Sequence, residues 1–334
     1  MEQPRRTSRL FLVATALVIG GLVIFGIWAQ MAGSGSTDAD PPRHVTIAQA
    51  GDFFLYAPLY VAVDGGYFRK RGLDVSIVST GGDDKTWAAV ISGSAEFGVA
   101  DPTFVAISAA RGQNGIVVAS LVNGVPFWGI SYKSITPIGD AKELSKYSVA
   151  TFSSPSTAYA LQRKMFVDAG LAPNIREGAF GTIIPMLKAG TADIGLELEP
   201  NVSQAEKDGA KIVYSLAAQY GDFAITGVTA RDQTVQQDPA LVLKVRESLQ
   251  DALDLLHSRP DSALAYLLKR FPGIAPAVAE AALHRALQAK VIPQSIDISE
   301  QAWSKAIRLR EEIGDLSASA PYDRFVWTPR TDTN

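Results

Sequence analysis

The feature that most constrains the fold of this chain is an internal repeat. The segment ISGSAEFGVADP at 91–102 recurs as LKAGTADIGLELEP at 187–200, at an offset of 97 residues. A second pair, FRKRGLDV at 68–75 and FVDAGLAP at 166–173, repeats at an offset of 98 residues. Two segments at nearly one spacing indicate that the same helix–glycine–strand arrangement is built twice.

A strand–helix–strand pattern at 44–78 indicates how each half is built. HVTIAQA at 44–50 alternates as a strand, Pro58 suits the first turn of the apolar helix that follows, and LDVSIV at 73–78 alternates again. A connection of this length is typical of a parallel, right-handed βαβ unit. Because 334 residues are enough for two domains, we predict a two-lobed α/β protein with a ligand cleft between the lobes.

Composition excludes several classes of function. The formal net charge is −3 and the 31 basic residues are spread along the chain, so there is no electrostatic footprint for nucleic acid. The chain has no cysteine, which excludes disulfides, thiolate metal sites and a lipid-modified cysteine. The acidic pairs lack metal-ligand spacing. We therefore predict no nucleic-acid partner, no metal site and no cofactor.

The N-terminus carries a targeting signal. Three arginines precede LFLVATALVIGGLVIFGIWA at 10–29, an uncharged apolar run of about the length that crosses a bilayer as a helix. We interpret residues 1–30 as a signal anchor or a signal peptide, with the basic end in the cytoplasm and the remaining chain outside. Residues 31–43 are rich in Gly, Ser, Asp and Pro and form a flexible linker in this interpretation.

The rest of the chain divides into three parts. We predict that residues 44–125 form the first part of lobe one, residues 126–228 form lobe two, and residues 229–334 form a C-terminal helical part that braces the lobes, mostly lobe one. Extended segments at 117–133 and 218–230 would cross between the lobes. Apolar residues at helical spacing predict the C-terminal helices at 240–257, 261–271, 276–289 and 299–313.

Taken in order, these segments resemble a known family. APLYVAVDGGYFRKRGLDVSIV at 57–78, both copies of the repeat, DAGL at 168–171 and PYDRFVW at 321–327 look like the substrate-binding proteins of ABC importers for nitrate, sulfonates, taurine and thiamine-precursor pyrimidines. The likeness covers residues 44–327. It implies the type II periplasmic-binding-protein fold, in which two α/β lobes joined by two hinge crossings close on a small ligand.

The resemblance also implies a function. Such a protein is not an enzyme; it captures a small organic ligand by lobe closure and delivers it to an ABC permease in the inner membrane, which works with a cytoplasmic ATPase. The ligand would be a sulfonate, a carboxylate or a pyrimidine-like compound. We predict a monomer on the periplasmic side of the bacterial inner membrane, anchored by residues 10–29 or released after cleavage.

Loops that follow the predicted strands of lobe one supply the first candidate ligand contacts. Aromatic rings there can enclose a planar or apolar ligand, a glycine backbone can approach it closely, and polar groups can bind it. Core packing, turn formation and helix capping are the alternative roles of these residues. The candidates are Phe53, Phe54, Tyr56, Gly82, Asp83, Trp87, Asp101 and Thr103.

Lobe two and the hinge segments supply the remaining candidates. A helix predicted near 155–169 would point free amides and nearby hydroxyls at the cleft, which suits a carboxylate, sulfonate or phosphate. Glu197, at the end of a later strand, would instead suit a cationic or N–H-rich ligand. The sequence leaves both possibilities open. The candidates are Asn123, Trp128, Ser153, Ser154, Ser156, Thr157, Glu197 and Tyr220.

Two other functions fit parts of the sequence. A thiamine-pyrimidine synthesis enzyme would share the fold, but His44, His257 and His284 are the only histidines and fall on no candidate segment, so we predict no catalytic residue. A membrane-tethered ligand-sensing or partner-binding receptor would fit a retained anchor. The predicted aromatic contacts favour an organic ligand with a planar or apolar portion over bare nitrate.

Overall fold

The computed structural model describes residues 41–154, 156–317 and 319–328. The predicted signal or anchor segment and most of the predicted linker lie outside these residues. Among the residues that the structure describes, no helix is both long and apolar enough to cross a membrane. The domain that begins at Arg43 is built on two five-stranded sheets.

The first sheet contains the parallel strands that the sequence predicted. β1 pairs in parallel with β2 and β3, whereas β10 runs antiparallel to β3 and β4, which gives the order β2-β1-β3-β10-β4. Its strands are β1 (Arg43–Gln49), β2 (Leu73–Ser79), β3 (Phe97–Ala100), β4 (Gly115–Gly124) and β10 (Asp222–Arg231).

The second sheet has the same arrangement. β6 pairs in parallel with β7 and β8, and β5 runs antiparallel to β8 and β9, which gives the order β7-β6-β8-β5-β9. Its strands are β5 (Trp128–Ser131), β6 (Val149–Phe152), β7 (Ile175–Gly178), β8 (Ile194–Glu197) and β9 (Lys211–Ser215).

Helices connect these strands and follow the last of them. Short 3-10 turns at Phe54–Tyr56, Arg69–Arg71 and Ala141–Lys146 complete the connections. The α-helices of the described residues are α1 (Ala57–Asp64), α2 (Asp83–Ser92), α3 (Phe104–Ala109), α4 (Thr157–Asp168), α5 (Ile183–Lys188), α6 (Asn201–Lys207), α7 (Leu216–Tyr220), α8 (Asp232–Gln237), α9 (Pro239–Ser258), α10 (Pro260–Arg270), α11 (Pro276–Gln288), α12 (Glu300–Glu312) and α13 (Tyr322–Phe325).

The repeat in the sequence corresponds to equivalent parts of the two sheets. Its matched glycines lie in β3 and β8, where a helix packs directly on the strand. A Cβ on Gly98 would lie 2.8 Å from Val90 of α2, and a Cβ on Gly195 would lie 2.7 Å from Ile183 of α5. Glycine is required at both positions because no side chain fits between strand and helix.

The matched acidic residues of the repeat also share a role. The Glu96 carboxylate accepts a hydrogen bond from Thr46 N at 2.8 Å, and the Asp193 carboxylate accepts one from Ser148 N at 2.8 Å. Each ties the turn before a buried strand to the neighbouring parallel strand. The prediction that one arrangement is built twice is therefore confirmed, down to the side-chain contacts that the matched residues make.

The chain crosses between the sheets twice. It leaves the first sheet after β4 and enters the second at β5, and it returns from β9 through α7 to β10. The predicted end of lobe two at residue 228 falls inside β10, which pairs with β3 and β4 of the first sheet. The segment predicted at 218–230 as a crossing between the lobes is therefore largely a strand of the first sheet. The return crossing ends before Asp222.

The C-terminal helices pack against elements of both lobes. α9 to α12 begin and end within one residue of the helices that the sequence predicted. α9 and α10 pack against α1, and α12 packs against β10, all on the first sheet's side. α11 contacts α6, which follows β8 of the second sheet.

A glycine in β5 provides a test of this packing. A Cβ on Gly129 would lie 2.3 Å from the ring of Tyr214 on β9. We expect Gly129→Ala to lower the free energy of unfolding by about 1–3 kcal/mol, because the ring or the strand must move. Urea unfolding measures the change. Gly139→Ala is the matched control, since a Cβ there has nothing within 4 Å; equal stabilities of the two variants would contradict the close contact.

Candidate functional site

A cavity of about 420 Å³ is lined by residues of both sheets. Its walls include Ala50 after β1, Gly81 after β2, Asp101 after β3, Phe180 after β7 and Leu198 after β8. Carboxyl ends of parallel strands gather at one edge of a sheet, and here two such edges meet around one space. The volume lies within the range of small-molecule sites, so the cavity is the candidate ligand site.

Aromatic rings form a continuous wall that joins the two lobes. Phe53 of lobe one lies edge-on to Phe180 of lobe two, with ring centroids 5.4 Å apart. Phe180 stacks on Phe152 at 4.8 Å, and Phe152 meets Phe127 at 6.2 Å. The Phe180 side chain remains 56% exposed, which is unusual for phenylalanine. These rings can hold the apolar face of a ligand.

A buried arginine of α12 lies behind the cavity wall and pairs with Asp101, which lines the cavity. Arg310 donates hydrogen bonds to the Asp101 carboxylate, to Thr103 Oγ1 at 3.1 Å and to Asp315 at 2.9 Å. It also reaches Thr157 Oγ1, the first residue of α4, at 3.3 Å. Burial lowers the pKa of Arg310, but the facing carboxylates of Asp101 and Asp315 raise it by more. The net effect is a raised pKa. One cation therefore connects lobe one, lobe two and a C-terminal helix.

Asp83 is a second carboxylate at the cavity wall. Its Oδ1 accepts a hydrogen bond from Asp101 N at 3.0 Å. Burial and the neighbouring Asp101 raise the pKa of Asp83 to about 6. Burial and the nearby Asp83 raise the pKa of Tyr56, which lines the same wall. Asp83 thus presents a partly desolvated carboxylate to the cavity.

The N-terminus of α4 faces the cavity through Ser156, Thr157 and Ala158. Ser156 caps the helix, because its Oγ accepts a hydrogen bond from Tyr159 N at 3.2 Å. The Asp101 carboxylate lies 3.4 Å from Thr157 Oγ1. A negative charge of the protein therefore already lies beside this helix terminus.

The structure brings seven of the sixteen predicted site residues together at the cavity wall. Five come from lobe one and two from the start of α4, so both lobes contribute. Their roles as ligand contacts stay predictions. They are Phe53, Tyr56, Gly82, Asp83, Asp101, Ser156 and Thr157.

Three candidates of lobe one lie behind this wall. Phe54 is buried and packs near Phe271, with ring centroids 5.7 Å apart. Trp87 is buried and donates from Nε1 to Ser108 Oγ at 2.6 Å. Thr103 donates its backbone N–H to Asp101 at 2.9 Å, so it orients that carboxylate and does not line the cavity.

The hinge candidates also lie away from the wall. Asn123 belongs to β4 and donates its N–H to Val291 O at 3.0 Å. Trp128 is buried in β5. The Tyr220 hydroxyl donates to Leu161 O at 3.0 Å. None of the three lines the cavity.

The remaining candidates are two serines and one glutamate of lobe two. Ser153 and Ser154 are exposed in the loop before α4, and Ser154 N donates to Glu177 at 2.9 Å. Glu197 is buried at the end of β8, where Oε2 accepts from Leu198 N and from Asn201 Nδ2, both at 3.1 Å. Its Oε1 is buried with no partner among the described residues.

Sequence reasoning missed several residues of the cavity wall and the arginine that lies behind it. Phe152 ends β6 and Phe180 follows β7, so the rule that ligands lie at carboxyl ends of strands would have selected both. Arg310 had no such signal, because it lies in a C-terminal helix, 209 residues from Asp101. In the described part of the chain, no group of three or more His, Asp or Glu side chains could hold a metal ion.

Comparisons with known proteins agree with this geometry. The family model described as NMT1/THI5 like matches residues 54–263. A Bacillus subtilis (strain 168) protein named "Putative binding protein YtlA" is 22% identical over 93% of this chain and 95% of its own length. Its name, like those of the structures below, is that of a binding protein.

Two solved structures share the fold. The alkanesulfonate-binding protein SsuA of Xanthomonas axonopodis pv. citri, bound to MOPS, is 18% identical with a TM-score of 0.66, over 86% of this chain and 99% of its own. The periplasmic aliphatic sulphonate binding protein SsuA of Escherichia coli is 17% identical with a TM-score of 0.68, over 86% and 93%. The predicted two-lobed periplasmic-binding-protein fold is confirmed.

The buried ion pair makes a first prediction. Replacing Arg310 by Met leaves the Asp101 carboxylate buried without its cation, and we expect the free energy of unfolding to fall by about 3–5 kcal/mol. Urea unfolding tests this. Arg308→Met removes an exposed cation of the same helix and serves as the matched control. A similar small effect of both variants would contradict the structural role of Arg310.

Glu197 makes a second prediction. The pKa of Glu197 is raised from 4.5 to about 7, chiefly by burial. The hydrogen bonds from Asn201 and Leu198 lower this pKa, and the nearby Glu199 carboxylate raises it further. Since the folded pKa is the higher one, stability falls as pH rises from 4.5 to about 7 and then levels off. We expect Glu197→Gln to be more stable than wild type by about 2 kcal/mol near pH ~8 and equal to it near pH ~4.5.

Urea unfolding across this pH range measures the difference. Glu280→Gln, at an exposed glutamate of α11, is the control and should follow wild type throughout. A pH-independent difference for Glu197→Gln would show that lost packing, not the buried charge, determines its stability.

Proposed function

This chain belongs to the NMT1/THI5-like family, and from that premise we propose that it is an extracytoplasmic substrate-binding protein. It captures a small organic ligand between its two lobes, closes around it and delivers it to an ABC permease. The candidate ligands are sulfonates, carboxylates and pyrimidine-like compounds.

The observation that carries this proposal is the cavity of about 420 Å³ at the facing strand ends of two like-built sheets. Two chain crossings join the sheets, which is an arrangement that supports hinge closure. The aromatic wall from Phe53 to Phe180 spans both lobes and would bury a ligand that enters between them. A binding protein needs this geometry and no catalytic residue.

The proposal includes a place in the cell. The E. coli relative is named a periplasmic protein, and the apolar run at 10–29 suits export. We infer that the domain works on the periplasmic side of the inner membrane as a monomer, anchored by this run or released after cleavage. The permease and its cytoplasmic ATPase are the proposed partners.

A thermal-shift screen of the full-length protein in mild detergent tests ligand capture. The compounds are alkylsulfonates, taurine, nitrate, aromatic carboxylates, and thiamine-precursor pyrimidines. A ligand at 100 times its Kd stabilises the native state by about 2.7 kcal/mol, so the melting temperature should rise with concentration for one class. No rise with any compound, in protein free of carried-over ligand, would contradict ligand capture.

A ring deletion tests whether that ligand occupies the cavity. We expect Phe180→Ala to weaken binding by about tenfold, the scale of a lost aromatic contact of about 1–1.5 kcal/mol. Tyr266→Ala removes a ring of α10, which does not line the cavity, and should leave the affinity unchanged. Equal affinities of both variants would place the ligand elsewhere.

Delivery to a permease is tested in cells. A strain without this gene should lose uptake of the ligand that the screen identifies. Normal uptake together with tight binding would instead favour the tethered receptor that senses its ligand.

A further inference from the structure

The titratable residues of the cavity wall carry no positive charge. Its titratable lining residues are Asp83, Asp101 and Tyr56, and among the described residues no Lys, Arg or His lines it. Arg310 lies behind the wall and donates hydrogen bonds to two carboxylates, those of Asp101 and Asp315. Asp101 is thus compensated within the protein. No Lys or Arg side chain that the structure describes forms an ion pair with Asp83, and Arg310 lowers the pKa of Asp83 only against the larger effects of burial and Asp101.

One oxygen of Asp83 is available to a ligand. Its Oδ1 accepts from Asp101 N at 3.0 Å, and within the described ranges its Oδ2 accepts no hydrogen bond from the protein. The raised pKa of Asp83 has the same origin, because burial and Asp101 disfavour its ionised form. An N–H or O–H group of a ligand could donate the hydrogen bond that Asp83 Oδ2 does not receive from the described residues.

The place where an anion would bind is already occupied by charge. Free amides at the start of α4 would attract a sulfonate or carboxylate, but the Asp101 carboxylate lies 3.4 Å from Thr157 Oγ1 at this same terminus. A ligand anion there would meet the Asp101 carboxylate, and the Asp83 carboxylate is next to it, with Oδ1 3.0 Å from Asp101 N. Like-charge contact in a partly desolvated site is a strong means of rejection.

The remaining wall defines the rest of the ligand. Phe53, Phe152 and Phe180 provide ring faces and edges around a space much larger than a nitrate ion. Aromatic faces attract an organic body and also stabilise a neighbouring cation.

We propose that the cleft takes a ligand with a cationic or N–H donor end, bound by the Asp83 carboxylate, on an apolar or aromatic body, and that it rejects anions. This inference rests on the proposed function and narrows its ligands away from sulfonates and carboxylates. Asp83 is then the residue that determines specificity, and the aromatic wall determines the shape of the ligand body.

A matched series of small probes tests the inference. Isothermal titration of the full-length protein in mild detergent compares phenethylammonium, 2-phenylethanol, phenylacetate and 2-phenylethanesulfonate, which share a ring and differ in the charged end. We expect the ammonium probe to bind at least tenfold more tightly than the alcohol, and the two anions to bind more weakly still. Tighter binding of either anion, or no binding of the ammonium probe at millimolar concentration, would overturn the inference.

Variants of neighbouring aspartates identify the group responsible. Asp83→Asn should weaken ammonium binding about tenfold or more and leave the alcohol unchanged. Asp84→Asn removes the next carboxylate of the same helix turn, which is exposed, and should leave both unchanged. Asp83→Ser is the second variant if Asp83→Asn fails to fold, and unchanged ammonium binding in a folded Asp83 variant would overturn the assignment.

The two proposals fail in different ways. A sulfonate that stabilises the protein and loses affinity in Phe180→Ala would support ligand capture and overturn the ligand class. No stabilisation by any compound of the wider screen would contradict ligand capture itself.

Discussion

A buried guanidinium must be compensated wherever it lies, and Arg310 organises the cleft through this requirement. It draws Asp101 and Thr103 from the loop after β3, Asp315 from beyond its own helix, and Thr157 from the start of α4. These groups come from both lobes. The position of the cavity wall around Asp101 and Thr157 therefore depends on charge compensation as well as on apolar packing. An unpaired buried charge would cost far more free energy than a lost apolar contact.

In our proposal this compensation also decides which ligands the cleft recognises. By holding Asp101 beside the N-terminus of α4, Arg310 makes the protein itself supply the negative charge that the helix terminus attracts. Asp83 is then the cavity carboxylate that forms no ion pair with any described residue. The fold shared with an alkanesulfonate-binding protein here has carboxylates in its cavity wall, and we propose that they favour a cationic ligand. Function resides in sites grafted on folds.

Local patterns predicted much of the fold because matched residues of the repeat have the same structural role in both lobes. Gly98 and Gly195 admit a packed helix, and Glu96 and Asp193 accept a strand amide. Seven of the predicted site residues line the cavity for a similar reason: loops after parallel strands lie at the edge of the sheet that faces the cleft, as Phe53 does. Trp128 was predicted because its segment crosses between the lobes, but its ring is buried in β5. A local pattern does not distinguish a ring in the core from one that faces the cleft.

The sequence by itself determined the two-lobed α/β architecture, the strand ends that face the cleft and the C-terminal helices, since each depends on spacing between neighbouring residues. Only the tertiary structure decided that Arg310 reaches Asp101 across 209 residues and that Phe180 meets Phe53 across the two lobes. It also decided that Asp83 forms no ion pair among the described residues. Those contacts depend on how the lobes and the last helices pack together, and no local pattern records which distant charges share one buried space.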